Sequence, residues 1–79
     1  MMALKSIEEA ESLVGKTFER DGKRREVTRV SGLEISQFDH RTVLGEVFWR
    51  VPGGKERMAP TPVPTFGAWL SKASVVPNQ

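Results

Sequence analysis

Few residues of this chain could do chemistry, and the first to weigh is its single histidine, His40. Asp39 precedes it, and Ser36 and Thr42 stand close by, so a carboxylate, an imidazole and a hydroxyl are neighbours in sequence. A nucleophile, its base and the group orienting that base are defined by geometry in a shaped cavity, which a polar run does not supply. The expectation is a surface-loop histidine, with no catalytic residue and no enzymatic activity. Metal chemistry has no better footing. Cysteine is absent, and Glu8, Glu9, Asp21, Glu34 and Asp39 are scattered without ligand spacing, so neither metal nor cofactor is expected. Gly53-Gly54-Lys55 lacks the spaced glycines and following helix of a phosphate loop and reads as a turn.

Binding chemistry is better represented. Lys23, Arg24, Arg25 and Arg29 cluster in one stretch, and cations of this kind supply most of the non-specific affinity for nucleic acid. Glu19, Asp21 and Glu26 are interleaved with them, and a solvated, charge-protected hairpin explains the same residues. Phe48 and Arg50 alternate with Val47, Trp49 and Val51. An aromatic beside an arginine on a wet sheet face has the composition of a protein contact. The competing expectation is that Phe66 or Trp69 of a final helix covers Phe48, and it is slightly favoured. Pro60, Pro62 and Pro64 miss the P-x-x-P spacing of a groove ligand and read as a stiff connector.

These residues must be carried by one small domain, residues 1–79, whose size permits a core but no second one. Hydrophobic content of 38% and charged content of 28% suit a folded chain. That core needs Phe18, Phe38, Phe48, Phe66, Trp49, Trp69 and the aliphatic set. A net charge of +2 is a weak field and does not by itself imply a nucleic-acid partner. Acidic residues interrupt the N-terminus before any signal-like apolar run, and no run is long enough to span a membrane. A cytoplasmic protein is the expectation.

The local patterns give the elements. Ser6 and Glu9 form a capping box, and Ile7, Ala10, Leu13 and Val14 recur at helical spacing, predicting a helix over 7–14 with Gly15 at its end. A sheet or barrel is expected over 16–59. It opens on a hairpin, KTFERDGKRREVTRVS, whose Asp21-Gly22 turn needs positive φ. A two-residue turn pairs Arg20 with Lys23, Glu19 with Arg24 and Phe18 with Arg25. A bulged turn would slip the register by one residue. The first is favoured because it sets Phe18 and Val27 on one face. Val27 and Val30 are out of phase, which calls for a bulge between them.

Gly32 and Gly45 read as breaks, with a third strand resuming at Leu33 and the clearest alternation at Glu46–Val51. Pro52-Gly53 predicts a type II turn, and Lys55–Ala59 a short return strand with Met58 inward. A proline connector over 60–64, a helix over 66–73 capped by Thr65, and a frayed tail over 74–79 complete the chain.

The succession GKTFxRDGxxRxVxxV from Gly15 to Val30, VxW from Val47 to Trp49, a Pro-Gly-Gly turn, and FxxWL from Phe66 to Leu70 resembles small SH3-like barrel proteins, including short ones encoded by phages and prophages. The resemblance covers about residues 15–72. It implies four or five bent antiparallel strands, closed or nearly so, and a nucleic-acid-binding, peptide-binding or assembly role; it carries over no catalytic residue. The expected fold is therefore mainly β (α+β), with a short helix at each end. The expected function is a non-catalytic protein-interaction or assembly module contacting its partner through Phe48 and Arg50. The alternative is nucleic-acid binding through Lys23, Arg24, Arg25 and Arg29.

Overall fold

The computed structural model describes residues 4–77. Asp21 and Gly22 take φ of 52° and 78°, the conformation of a tight hairpin turn whose twist matches that of its strands. This turn joins β1 (Thr17–Arg20) to β2 (Lys23–Ile35) in the expected register: Arg20 opposite Lys23, Glu19 opposite Arg24, and Phe18 opposite Arg25. Phe18 and Val27 are both buried, as the favoured register requires.

Strand β2 does not stop at Gly32. It runs through thirteen residues and pairs with β3 (Val43–Arg50), so the expected third strand is the far part of β2 and Gly45 lies inside β3. Two irregularities bend it. Thr28 is the extra residue between the Val27–Trp49 and Arg29–Phe48 pairs, which supplies the phase change needed before Val30. Farther on, Gly32 and Leu33 together oppose Gly45. A Cβ at Gly45 would stand 2.8 Å from the Ser31 carbonyl oxygen, so glycine here admits a bulged neighbour rather than ending a strand.

Beyond β3 the expected turn closes, with the Gly54 N–H donating to the Val51 carbonyl at 2.7 Å. The return strand over 55–59 does not form, and Met58 is 99% exposed. Pairing resumes in β4 (Thr61–Pro62), which suits an edge because proline lacks a donor. Helix α2 (Val63–Leu70) starts earlier than the expected Thr65 cap. Pro64 occupies its first turn, where a missing N–H is harmless, and Pro62 precedes it without a side-chain cap. Ala73 lies past the helix end but is still buried.

The expected frayed tail is instead β5 (Ser74–Val76), antiparallel to β1, with Val75 opposite Phe18; Asn78 and Gln79 lie outside the described residues. The five-stranded antiparallel sheet has the order β4-β3-β2-β1-β5. Helix α1 spans only Ile7–Glu11, followed by a turn that buries Leu13. Its cap is half as expected. Ser6 Oγ accepts from the Glu9 N–H, but the Glu9 carboxylate reaches past Ser6 to the Lys5 N–H at 2.8 Å.

One core joins these elements: Ala10 and Leu13, Phe18, Val27, Val43, Val47 and Trp49, then Val63, Phe66, Leu70 and Ala73. Phe38 belongs to no core. It is 98% exposed in the loop between β2 and β3, contrary to expectation. No helix among the described residues is long and apolar enough to cross a membrane.

Candidate functional site

Alternation along β2 divides the candidate basic residues between the two faces of the sheet. Arg25 is paired with Phe18 and lies two residues from Val27, so its side chain rises on the core face. Trp49, opposite Val27, shares that face, and α2 brings Trp69 to it. The Arg25 guanidinium carbon lies 4.2 Å from the Trp49 ring centroid and 4.4 Å from that of Trp69. Each contact is within cation–π range.

Side chains on both sides hold this stack in place. The Trp49 indole N–H donates to Thr61 Oγ1 at 2.9 Å, which ties it to β4. Trp69 packs on Phe66 with ring centroids 5.7 Å apart. Arg20 reaches the Trp69 carbonyl at 3.4 Å, linking the hairpin to α2. The Arg57 N–H donates to the Trp49 carbonyl at 3.0 Å, and its guanidinium lies 5.0 Å from the same indole ring.

The result is a groove of about 400 Å³, walled by Gly22, Lys23, Arg24 and Arg25 of the hairpin and by Trp49, Val51 and Arg57 opposite. Among the described residues, Lys23, Arg25 and Arg57 have no carboxylate partner. Other lysines among the described residues also have no carboxylate partner; these three are distinguished by lining one groove, where Arg25 and Arg57 lie over the Trp49 ring. Burial, followed by the nearby charges of Arg57 and Arg20, lowers the pKa of Arg25 from the usual arginine value. Arginine nevertheless stays protonated near neutrality, and an anion in the groove would relieve this crowding.

On the opposite face each arginine has a partner. Arg24 pairs with Glu19 at 2.8 Å, Arg50 with Glu26 at 3.0 Å, and Arg29 with Glu56 at 3.4 Å. Phe48 is half-buried there, and its cover is the Arg29 guanidinium, 3.6 Å from the ring centroid. Neither Phe66 nor Trp69 reaches it, contrary to the favoured expectation, because Phe48 points away from the Val47–Trp49 face. Glu56 is held below its ordinary pKa first by the Thr28 hydroxyl and then by Arg29, and it pins the 51–60 segment across the bulge.

The residues weighed for catalysis form a loop brace. Asp39 accepts from the Thr42 hydroxyl and from the N–H groups of Thr42 and Arg41, which lowers its pKa to about 2. His40 is exposed at φ 56°, and the Ser36 hydroxyl accepts from the Phe38 N–H at 3.2 Å. Among the described residues, the geometry brings no base to a nucleophile here and gathers no metal-ligand cluster.

Sequence reasoning named Lys23 and Arg25 but missed Arg57, Trp49 and Trp69 as their company. The Phe18–Arg25 pairing already placed Arg25 on the core face. Arg57 carried no local signal, because its position depends on the 51–60 segment folding back on Trp49. No family model, curated protein or solved structure matches this chain.

Proposed function

We propose that this protein is a non-catalytic binding module on a small SH3-like framework, and that its working surface is the cationic groove over Trp49. The framework reading is supported by the doubly bulged β2, which bends a five-stranded antiparallel sheet in the way small barrels turn corners. One observation carries the functional reading: Lys23, Arg25 and Arg57 line one groove without carboxylate partners among the described residues, whereas Arg24 at its border is paired with Glu19, and Arg29 and Arg50 are paired on the opposite face. A nucleic acid is the partner that best complements such a site, since each phosphate contact releases a counterion.

Engaging Lys23, Arg25 and Arg57 predicts a slope of about −2 for log K against log salt on a single strand. Fluorescence anisotropy with labelled DNA and RNA oligonucleotides checks this. Absence of binding at low salt removes the reading. A protein-assembly role is the second reading, favoured by Met58, 99% exposed beside Arg57, and Phe38, 98% exposed. In that case Phe48 and Arg50 contribute a rim rather than a centre. Pull-down by the wild type that is lost on Met58→Ser or Phe38→Ser, with no oligonucleotide binding, would establish it.

A further inference from the structure

The groove's shape and the state of its central guanidinium say more than its charge. Arg25 is half-buried, and its guanidinium carbon lies 4.2 Å and 4.4 Å from the Trp49 and Trp69 ring centroids, so its N–H edges are what it offers a ligand. Those edges are unused. The side chain has no hydrogen-bond acceptor among the described residues, yet none of its nitrogens is sealed from solvent. A guanidinium fixed in plane with its donors free is a fork that matches two oxygens of one phosphate, with little orientation left to lose on binding.

The site is also small. A volume of about 400 Å³ lies at the low end for single-ligand sites and suits one nucleotide of a flexible strand. A duplex is a stiff rod whose two backbones stand about 12 Å apart across the major groove. It can touch the exposed Lys23 at the hairpin tip, whereas Arg25 is half-buried against Trp49 and Trp69 and is reached more readily by a flexible strand than by a rod.

We infer, resting on the nucleic-acid reading above, that Arg25 is a preformed seat for one backbone phosphate of a single-stranded nucleic acid. Arg57 and Lys23 close around that phosphate or its neighbour. With Lys23, Arg25 and Arg57 committed to phosphate and Arg24 held by Glu19, the groove lining offers no further polar side chain to read base edges. Binding is therefore tolerant of sequence and selective for strandedness.

The test uses the intact protein, a dye-labelled single strand of about ten nucleotides, and the matching duplex. The expected result is tighter binding of the single strand by about tenfold, the worth of one charge-assisted hydrogen bond. Titration should shift the Arg25 Nε–H resonance of the wild type, with Arg29 unmoved. Arg25→Lys keeps the charge but loses the fork, so it should lower single-strand affinity about tenfold and leave duplex affinity unchanged. The wild-type resonance keeps the test decisive even if this variant folds poorly.

Equal affinity for both forms, or a still Arg25 resonance during single-strand binding, overturns this inference while leaving the nucleic-acid reading standing. No binding of either form overturns both. A poly-glutamate peptide that moves the Arg25 resonance where oligonucleotides do not would also overturn both and assign the groove to an acidic protein segment.

Discussion

The two faces of the central strands carry the same residue types to opposite ends. Behind the sheet, Arg24, Arg29 and Arg50 each meet a glutamate, and Phe48 is capped by one of those arginines. In front, Arg25 lies over the Trp49 and Trp69 rings and Arg57 over that of Trp49, and neither has a carboxylate partner among the described residues. Exposed ion pairs contribute about 0–1 kcal/mol and satisfy themselves. Cations stacked on aromatics are ordered without being neutralised, so their field remains available to a partner. Counting arginines in a sequence cannot separate these outcomes; the register that decides which face each one takes can.

The strongest way to break this contrast is to compare adjacent aromatics. Trp49→Ala should cost about 3–5 kcal/mol in urea unfolding, near the whole stability expected of so small a domain. Phe48→Ala should cost about 1 kcal/mol, since that ring is half-buried and covered by a guanidinium. Similar losses from the two would mean that the faces are not distinct.

Charge reversal comes next. Arg57→Glu should weaken oligonucleotide binding by more than about tenfold and flatten the salt slope, whereas Arg29→Glu should change affinity by less than about threefold. A smaller effect follows from the rear pairs. Glu19→Gln should lower stability by about 0.5 kcal/mol or less, because both partners are substantially exposed.

Acid should act on one face first. Glu56 has a folded pKa below its unfolded value, so its contribution is complete above the ordinary glutamate pKa and declines as pH falls through the folded one. Protection factors of the Gly54 and Arg57 amides, which are corrected for intrinsic exchange, should therefore fall as Glu56 is protonated, while the Arg25 stack, titrating far higher, persists. Protection factors that do not change as the pH is lowered through the acid range would show that Glu56 does not pin this segment.

Local chemistry was legible in the sequence, and chemistry made by distant docking was not. Asp21-Gly22 gave the turn and register because φ preference acts over two residues. The phase slip between Val27 and Val30 gave the bulge because alternation is also local. The tail was misread because Ser74–Val76 is too short to declare itself and becomes a strand only beside β1. The barrier in reading the groove was of the same kind. Arg25 is placed by its hairpin, but Trp69 arrives with α2 and Arg57 with the segment beyond β3. An arginine whose partners come from three parts of the chain looks in sequence like any solvated cation.

The pairing of β5 with β1 also sets an order of assembly. Phe18 and Val75 pair across 57 residues of sequence, so this is among the least local strand pairings in the molecule. During synthesis the hairpin can form early, but the free edge of β1 stays unpaired until residues 74–76 have emerged. Until then that edge is a template on which a second nascent chain could add a strand.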